Sequence, residues 1–142
     1  MVKWIALVVL VVAVALQLFQ PERGNPPSDP EGSYEAVAKP GPEVAAVLRR
    51  ACYDCHSNQT AWPWYSRVAP VSWLIARDVK QGRAHLNFSE WSRYSPQAAR
   101  RRLEEACEEV REGNMPLRNY RLLHPEARLS SKDVALVCGA AR

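Results

Sequence analysis

Apolar residues are concentrated at the amino terminus of the chain. Lys3 is the only charged side chain before a continuous apolar run from Trp4 to Leu16. This run is long for the apolar part of a signal peptide and slightly short for a membrane-spanning helix, which needs about 17–25 residues. We therefore expect residues 1–20 to be an uncleaved membrane anchor or, as the alternative, a cleaved signal sequence. Both interpretations place the rest of the chain outside the cytoplasm.

The next segment, residues 21–41, is rich in proline and glycine and poor in large apolar side chains. Such a composition buries too little apolar surface to fold by itself and behaves as a semi-extended spacer. We expect a linker that holds the folded domain away from the membrane.

In residues 42–142 the apolar positions recur at helical spacing, and no strand-length alternating pattern is present. Prolines and polar caps mark helix starts, whereas glycines mark helix ends. The predicted helices begin at Pro42 or Glu43, at Pro70, after Ser95-Pro96 and at Ser130, and the second and third end at Gly82 and Gly113. The pattern predicts one small all-α domain.

Composition and charge exclude several classes of function. The net charge is +4 for 142 residues, and the basic residues do not form the long block that is typical of nucleic-acid-binding proteins. The chain also lacks a nucleophile–base constellation, a metal-hydrolase motif and a phosphate-binding loop. We expect no nucleic-acid partner and no conventional enzymatic activity.

The most informative motif directly follows the first predicted helix. Residues 52–56 read Cys-Tyr-Asp-Cys-His, which is the spacing used to attach c-type haem. In such a site both thiols form thioethers with the haem vinyl groups, and the adjacent histidine becomes the proximal iron ligand. The motif predicts one covalent haem on Cys52 and Cys55, with His56 as the proximal ligand.

Two other chemistries use a pair of cysteines at this spacing. A dithiol redox centre is one, although the βαβ context typical of that site is missing. A zinc site is the other, and it needs further ligands. The candidates for these ligands are Cys107, Cys138, His85 and His124. A colourless protein would favour either alternative.

Met115 is the best candidate for the distal side of a haem. It lies in the loop after the third predicted helix, and Pro116 disfavours helical geometry at the preceding residue, so the thioether is free to point inward. A Met/His pair is a ligand set of electron-transfer cytochromes. We predict Met115 as the distal ligand, with His85, His124 or an open site as alternatives.

The loop from Ser57 to Pro70 contains three large aromatic residues, Trp62, Trp64 and Tyr65, among polar ones. These side chains need an apolar surface, which is either a satellite core beneath the loop or the haem itself.

Cys107 and Cys138 each lie on an apolar helical stripe. Buried free thiols are the simpler expectation. A disulfide between the two is the alternative in an oxidising compartment.

Several motifs together resemble the bacterial haem-binding domain family, which comprises small exported cytochrome-c-like proteins that often have one N-terminal hydrophobic anchor. The resemblance covers roughly Val44 to Val137. It is carried by Cys52 to Asn58, Trp62-Pro63-Trp64-Tyr65, Ala69 to Trp73, Gly82-Arg83, Leu86 to Ser89, Met115-Pro116, Tyr120 and His124-Pro125. It implies a cytochrome-c-like fold, haem c on both motif cysteines, and His56 with Met115 as the axial ligands.

The leading functional hypothesis is a membrane-tethered electron carrier that exchanges single electrons with redox proteins of the periplasm or membrane. The alternative is a haem-based sensor or a ligand-binding module with an open distal site. Met115 distinguishes them, because a methionine-ligated iron has no free position for an external ligand.

Overall fold

The computed structural model describes residues 1–141, and all regular secondary structure in that range is helical. The predicted all-α class is therefore confirmed. The α-helices are α1 (Val2–Gln17), α2 (Tyr34–Ala38), α3 (Pro42–Ala51), α4 (Tyr53–His56), α5 (Val71–His85), α6 (Pro96–Glu112), α7 (Arg118–Leu123) and α8 (Ser131–Gly139). Short 3₁₀ helices lie at Pro30–Gly32, Trp64–Arg67, Phe88–Arg93 and Pro125–Ala127.

Local capping chemistry explains the boundaries of α6 and the start of α8. The Ser95 side chain accepts a hydrogen bond from the Ala98 amide at the start of α6, and Gly113 ends that helix in the left-handed conformation with φ 76°. Ser130 and Asp133 form a reciprocal capping box at the start of α8. These boundaries agree with the sequence prediction.

The core is built where α3, α6 and α8 pack together beside an aromatic cluster. Terminal helix α8 contacts both α3 and α6, as expected for a cytochrome-like arrangement. The most buried residues of this core are Tyr34, Val47, Leu48, Tyr53, Leu86, Phe88, Trp91, Val110 and Val137.

The segment 21–41 differs from the spacer that its composition predicts. The ring of Tyr34 is only 3% exposed and packs edge-on against Phe88 and Trp91. The Arg83 guanidinium donates hydrogen bonds to the Gly24 carbonyl and to the Asn25 side chain, at 2.9 and 2.8 Å. One buried aromatic and one arginine thus hold a segment that has too few apolar residues to fold alone.

Helix α1 has no buried residue, although nearly all of its side chains are apolar. Within residues 1–141, no helix is both long enough and apolar enough to cross a membrane.

Cys107 and Cys138 form a disulfide that joins α6 to α8, with the two Cα atoms 4.6 Å apart. The expectation of free thiols was wrong here. The apolar stripes that carry the two cysteines face each other because α6 and α8 pack together, so the sulfurs meet.

Helix α5 does not end at Gly82, as the sequence predicted, but continues to His85. Gly82 is instead the point where α5 approaches the Cys52–His56 turn most closely. A Cβ atom at this position would lie 2.5 Å from the Cys55 carbonyl oxygen. Glycine is therefore required here for close packing between α5 and that turn.

Candidate functional site

The chain bends at Cys52, so that the motif forms a separate turn after α3. The backbone of Cys52 leaves helical geometry at φ −122°, and α4 then makes one turn from Tyr53 to His56. Cys52 and Cys55 are both free and partly buried. Both thiols and the imidazole therefore reach the same side of the turn.

A cavity of about 690 Å³ lies against this turn, within the range of small-molecule sites. Its wall is mostly apolar, and α3, α4, α5, α6, α8 and the Met115 loop all contribute to it. The residues that line it include Leu48, Cys52, Cys55, His56, Leu74, Arg77, Gly82, His85, Leu86, Phe88, Val110, Met115, Pro116, Leu117, Tyr120 and Val137. The structure thus brings Cys52, Cys55, His56 and Met115, the four residues predicted to attach haem or bind its iron, to one cavity.

The His56 ring is oriented as a metal ligand requires. Its Nδ1 lies 3.0 Å from the Leu86 carbonyl oxygen and donates its proton there. That tautomer leaves the Nε2 lone pair available, and hydrogen bonding of the second ring nitrogen to a carbonyl is typical of metal-binding histidines. Burial lowers the pKa of His56, which favours the neutral imidazole that a metal needs.

The Leu86 carbonyl is itself held in place by a buried polar network next to it. The Asn87 side-chain amide donates to Asn58 Oδ1 at 2.9 Å and its oxygen accepts from the Ser89 amide at 3.0 Å. The backbone amide of Asn58 donates to Ser89 Oγ at 3.0 Å. Each of these three residues is at most 5% exposed. Because its members satisfy one another, this network fixes the backbone to which His56 is bound.

The dithiol interpretation is disfavoured by the environment of the thiols. Burial raises the pKa of Cys52 to about 12 and that of Cys55 to about 11. Reactive cysteines have a lowered pKa, because the thiolate is the nucleophile. Both thiols are therefore protonated at neutral pH and poorly suited to disulfide exchange.

The zinc interpretation lacks ligands. Across residues 1–141, no group of three or more His, Cys, Asp or Glu side chains lies close enough to hold a metal ion. Two of the proposed ligands, Cys107 and Cys138, are joined in the disulfide.

The three candidate distal ligands differ in whether they line the cavity. Met115 lines the cavity in a partly buried position, and its amide donates to the Glu109 carbonyl at the end of α6 at 3.2 Å. His85 also lines the cavity. His124 does not: its Nε2 lies 2.5 Å from the Tyr65 hydroxyl and its Nδ1 lies 2.9 Å from a Glu126 carboxylate oxygen. His124 therefore takes part in a hydrogen-bond network outside the cavity, whereas Met115 and His85 both line it.

The three aromatic residues of the loop, Trp62, Trp64 and Tyr65, do not line the cavity, and their packing against haem stays a prediction. Trp64 is 78% exposed and packs edge-on against Tyr65, whose hydroxyl bonds His124. Trp62 and Tyr65 are partly buried, away from the cavity wall. Trp64, Tyr65 and His124 form a cluster of their own beside the loop.

Sequence reasoning assigned no role to two residues that support the site. The Tyr120 hydroxyl donates to Asp54 Oδ2 at 2.7 Å, which ties α7 to the middle of the motif turn. Burial, followed by that carboxylate, raises the pKa of Tyr120. Arg83 donates to the Ser57 carbonyl at 2.8 Å and to Thr60 Oγ1 at 2.7 Å, directly after the motif. No local pattern marks such contacts, because the partners lie far apart in the sequence.

The side chains that line the cavity match the groups that bind haem. Two thiols, an imidazole with a free Nε2 and a thioether line a single apolar cavity, and this donor set fits haem. The fold and the site therefore define a small all-α haem-binding domain. The chain belongs to the haem-binding domain family, whose family model matches residues 11–141. No curated protein and no solved structure matches the chain.

Proposed function

We propose that this protein is a mono-haem c-type cytochrome that carries single electrons on the periplasmic side of the bacterial inner membrane. The observation that carries the proposal is that Cys52, Cys55, His56 and Met115 line one cavity. Haem, when bound there, supplies a one-electron iron couple.

The residues of the chain would each have a separate task. Cys52 and Cys55 would hold the haem covalently, because each thiol adds its sulfur to one carbon of a vinyl group and its hydrogen to the other. His56 would bind iron through Nε2, with Leu86 fixing the ring. Met115 would occupy the sixth position, and the apolar walls would exclude water.

Two features support an exported location. Disulfides persist in oxidising compartments such as the periplasm, and Cys107 and Cys138 are joined in this structure. The apolar side chains of α1, none of which is buried, suit a lipid environment better than water. We propose that α1 tethers the domain to the inner membrane, where redox proteins are its partners.

A haem stain of the denatured protein tests covalent attachment. The full chain is co-expressed with c-type maturation proteins and compared with a Cys52→Ala, Cys55→Ala variant. The matched control is Cys107→Ala, Cys138→Ala, which also removes two cysteines but leaves the motif intact. We expect stain in the wild type and in the control only. A colourless wild-type band beside a working control cytochrome would overturn the proposal.

A Met115→Ala variant then separates an electron carrier from a ligand sensor. If Met115 binds iron, its loss should lower the reduction potential and allow carbon monoxide to bind. His85→Ala is the matched control, because His85 also lines the cavity, and it should leave both properties unchanged. A wild-type protein that already binds carbon monoxide as readily as the variant would favour the sensor.

A further inference from the structure

The end of α1 is bound directly to the folded domain. The Trp73 indole nitrogen donates to the Phe19 carbonyl at 2.6 Å, and the Ala69 amide donates to the Gln17 side chain at 3.3 Å. Arg23 donates to the Ser66 carbonyl at 3.2 Å. The start of α5 is therefore fixed beside the carboxyl end of α1, with no spacer between them.

Around these contacts lies a group of exposed apolar side chains, which we call the anchor-side patch. It consists of Phe19, Val68, Val71, Trp73 and Leu74, which are between 38% and 72% exposed. Isolated exposed apolar residues are common on proteins, but a cluster of this kind marks an interaction site. The patch is continuous with α1, a largely apolar helix with no buried residue.

The length of α1 brings this patch to the lipid. At 16 residues, α1 is about 24 Å long, which is less than the roughly 30 Å thickness of the hydrocarbon core. When a hydrophobic segment is shorter than the hydrocarbon core, the bilayer thins around it or its flanking side chains reach to the interface. Because the residues that follow α1 are bound to the start of α5, either response brings the domain close to the headgroups.

The chemistry of the patch also suits a membrane surface. Tryptophan is enriched at the level of the lipid headgroups. Trp73 of α5 lies beside the carboxyl end of α1, where it is bound to the Phe19 carbonyl. Two exposed arginines flank the patch along the chain, since Arg67 directly precedes Val68 and Arg77 follows Leu74 within one helical turn. Arginine pairs well with phosphate, so Arg67 can contact lipid headgroups while the apolar side chains enter the interface. The Arg77 guanidinium is paired with Asp78 at 3.2 Å.

We propose that the anchor-side patch docks the folded domain flat on the lipid bilayer, instead of leaving it free on a flexible linker. This inference rests on the membrane tether of the proposed function. Leu74 and Arg77 also line the cavity. Docking therefore places the α5 edge of the cofactor site next to the membrane surface, within reach of membrane-bound redox partners.

Photo-crosslinking to lipid tests the proposal on the full, haem-loaded chain in phosphatidylglycerol nanodiscs. A benzophenone amino acid replaces Val71 in the patch. In the matched control it replaces Val37, which is an equally apolar residue of α2 and is 51% exposed. We expect several-fold more lipid adduct, measured by mass spectrometry, at position 71 than at position 37.

The possible outcomes of the crosslinking experiment distinguish the docking from the membrane tether. Equal labelling at both positions, or protein adducts at position 71 in place of lipid, would overturn the docking. A chain that does not co-elute with the nanodiscs would overturn both the tether and the docking. The haem stain and the Met115 experiment remain readable in detergent, so failure of the docking is distinguishable from failure of the proposed haem function.

Discussion

The two sides of the cavity are held in very different ways. On the attachment side, the Cys52–His56 turn packs directly on α5 at Gly82, and a buried polar network beside Leu86 orients the His56 ring. On the distal side, Met115 lies in a loop between α6 and α7. Leu122 and Leu123 of α7 are 67% and 61% exposed. One side is fixed by close packing, whereas the other is fixed by a few contacts.

This difference assigns different tasks to the two sides. A ligand held by a buried network is positioned before the cofactor arrives, so the attachment side is preorganised. On the distal side, the disulfide holds α6 against α8, and the Tyr120–Asp54 hydrogen bond holds α7 against the motif turn. Distal ligation should therefore depend on single hydrogen bonds and cross-links, whereas attachment should depend on the close packing of the motif turn against α5.

Removal of the disulfide should have the largest effect on stability. The Cys107→Ala, Cys138→Ala variant opens a loop with a sequence separation of 31. In the chain-entropy account such a cross-link contributes about 3–4 kcal/mol. We expect that decrease in the free energy of unfolding, measured by denaturant titration. Covalent haem should be retained, since the attachment side does not use these residues; loss of haem stain would show that the two sides are not independent.

Gly82→Ala should disrupt the attachment side. The added Cβ would overlap the Cys55 backbone, and overpacking of this kind costs about 1–3 kcal/mol or more. The expected result is a lower melting temperature and a lower fraction of haem-stained protein.

Gly139→Ala is the matched control for that variant, since Gly139 is also helical and a Cβ atom added there would meet no other atom within 4 Å. Because Gly139 is the last residue of α8, the substitution should change the free energy of unfolding little. If both alanine variants behave alike, the close approach of α5 to Cys55 does not control assembly.

Tyr120→Phe should affect the distal side alone. It removes the 2.7 Å hydrogen bond to the Asp54 carboxylate, and a bond to a charged partner contributes about 1.5–3 kcal/mol. Because α7 follows the Met115 loop, we also expect weaker methionine ligation, seen as a loss of the thioether–iron absorbance band.

Tyr53→Phe provides the comparison, because the Tyr53 hydroxyl also donates to a carboxylate, that of Glu35, at 3.1 Å. Tyr53 lies on the attachment side and does not line the cavity. This variant should lose stability but keep the absorbance band. An identical loss of the band in both variants would mean that general destabilisation, and not the position of α7, governs methionine ligation.

Local features of this molecule could be predicted from the sequence, whereas contacts between distant residues could not. The motif turn, the Ser95 and Ser130 caps and the Gly113 end depend on neighbouring residues, and they were predicted. The disulfide, the docking of Tyr34 and the Tyr120–Asp54 bond join residues that are distant in the chain. Periodicity places each partner on a helix face but does not show which faces meet. The attachment side holds such contacts too, since the close approach at Gly82 and the network beside Leu86 were not predicted.

The smallest expected effect is on the pH dependence of stability. It concerns the contact between α3 and α8, where Asp133 of α8 pairs with Arg50 of α3 at 2.6 Å. Hydrogen bonds from the Ser130 backbone and then from Arg50 lower the pKa of Asp133 from 3.8 to about 2. The folded state thus prefers the carboxylate, whose stabilising contribution is complete above pH 3.8 and is lost as the pH falls toward 2. Denaturant midpoints measured across that window should fall more steeply for the wild type than for Asp133→Asn. Parallel curves would mean that the Asp133 carboxylate does not stabilise the contact between α3 and α8, which is then held by apolar packing and by the Lys132–Glu43 ion pair.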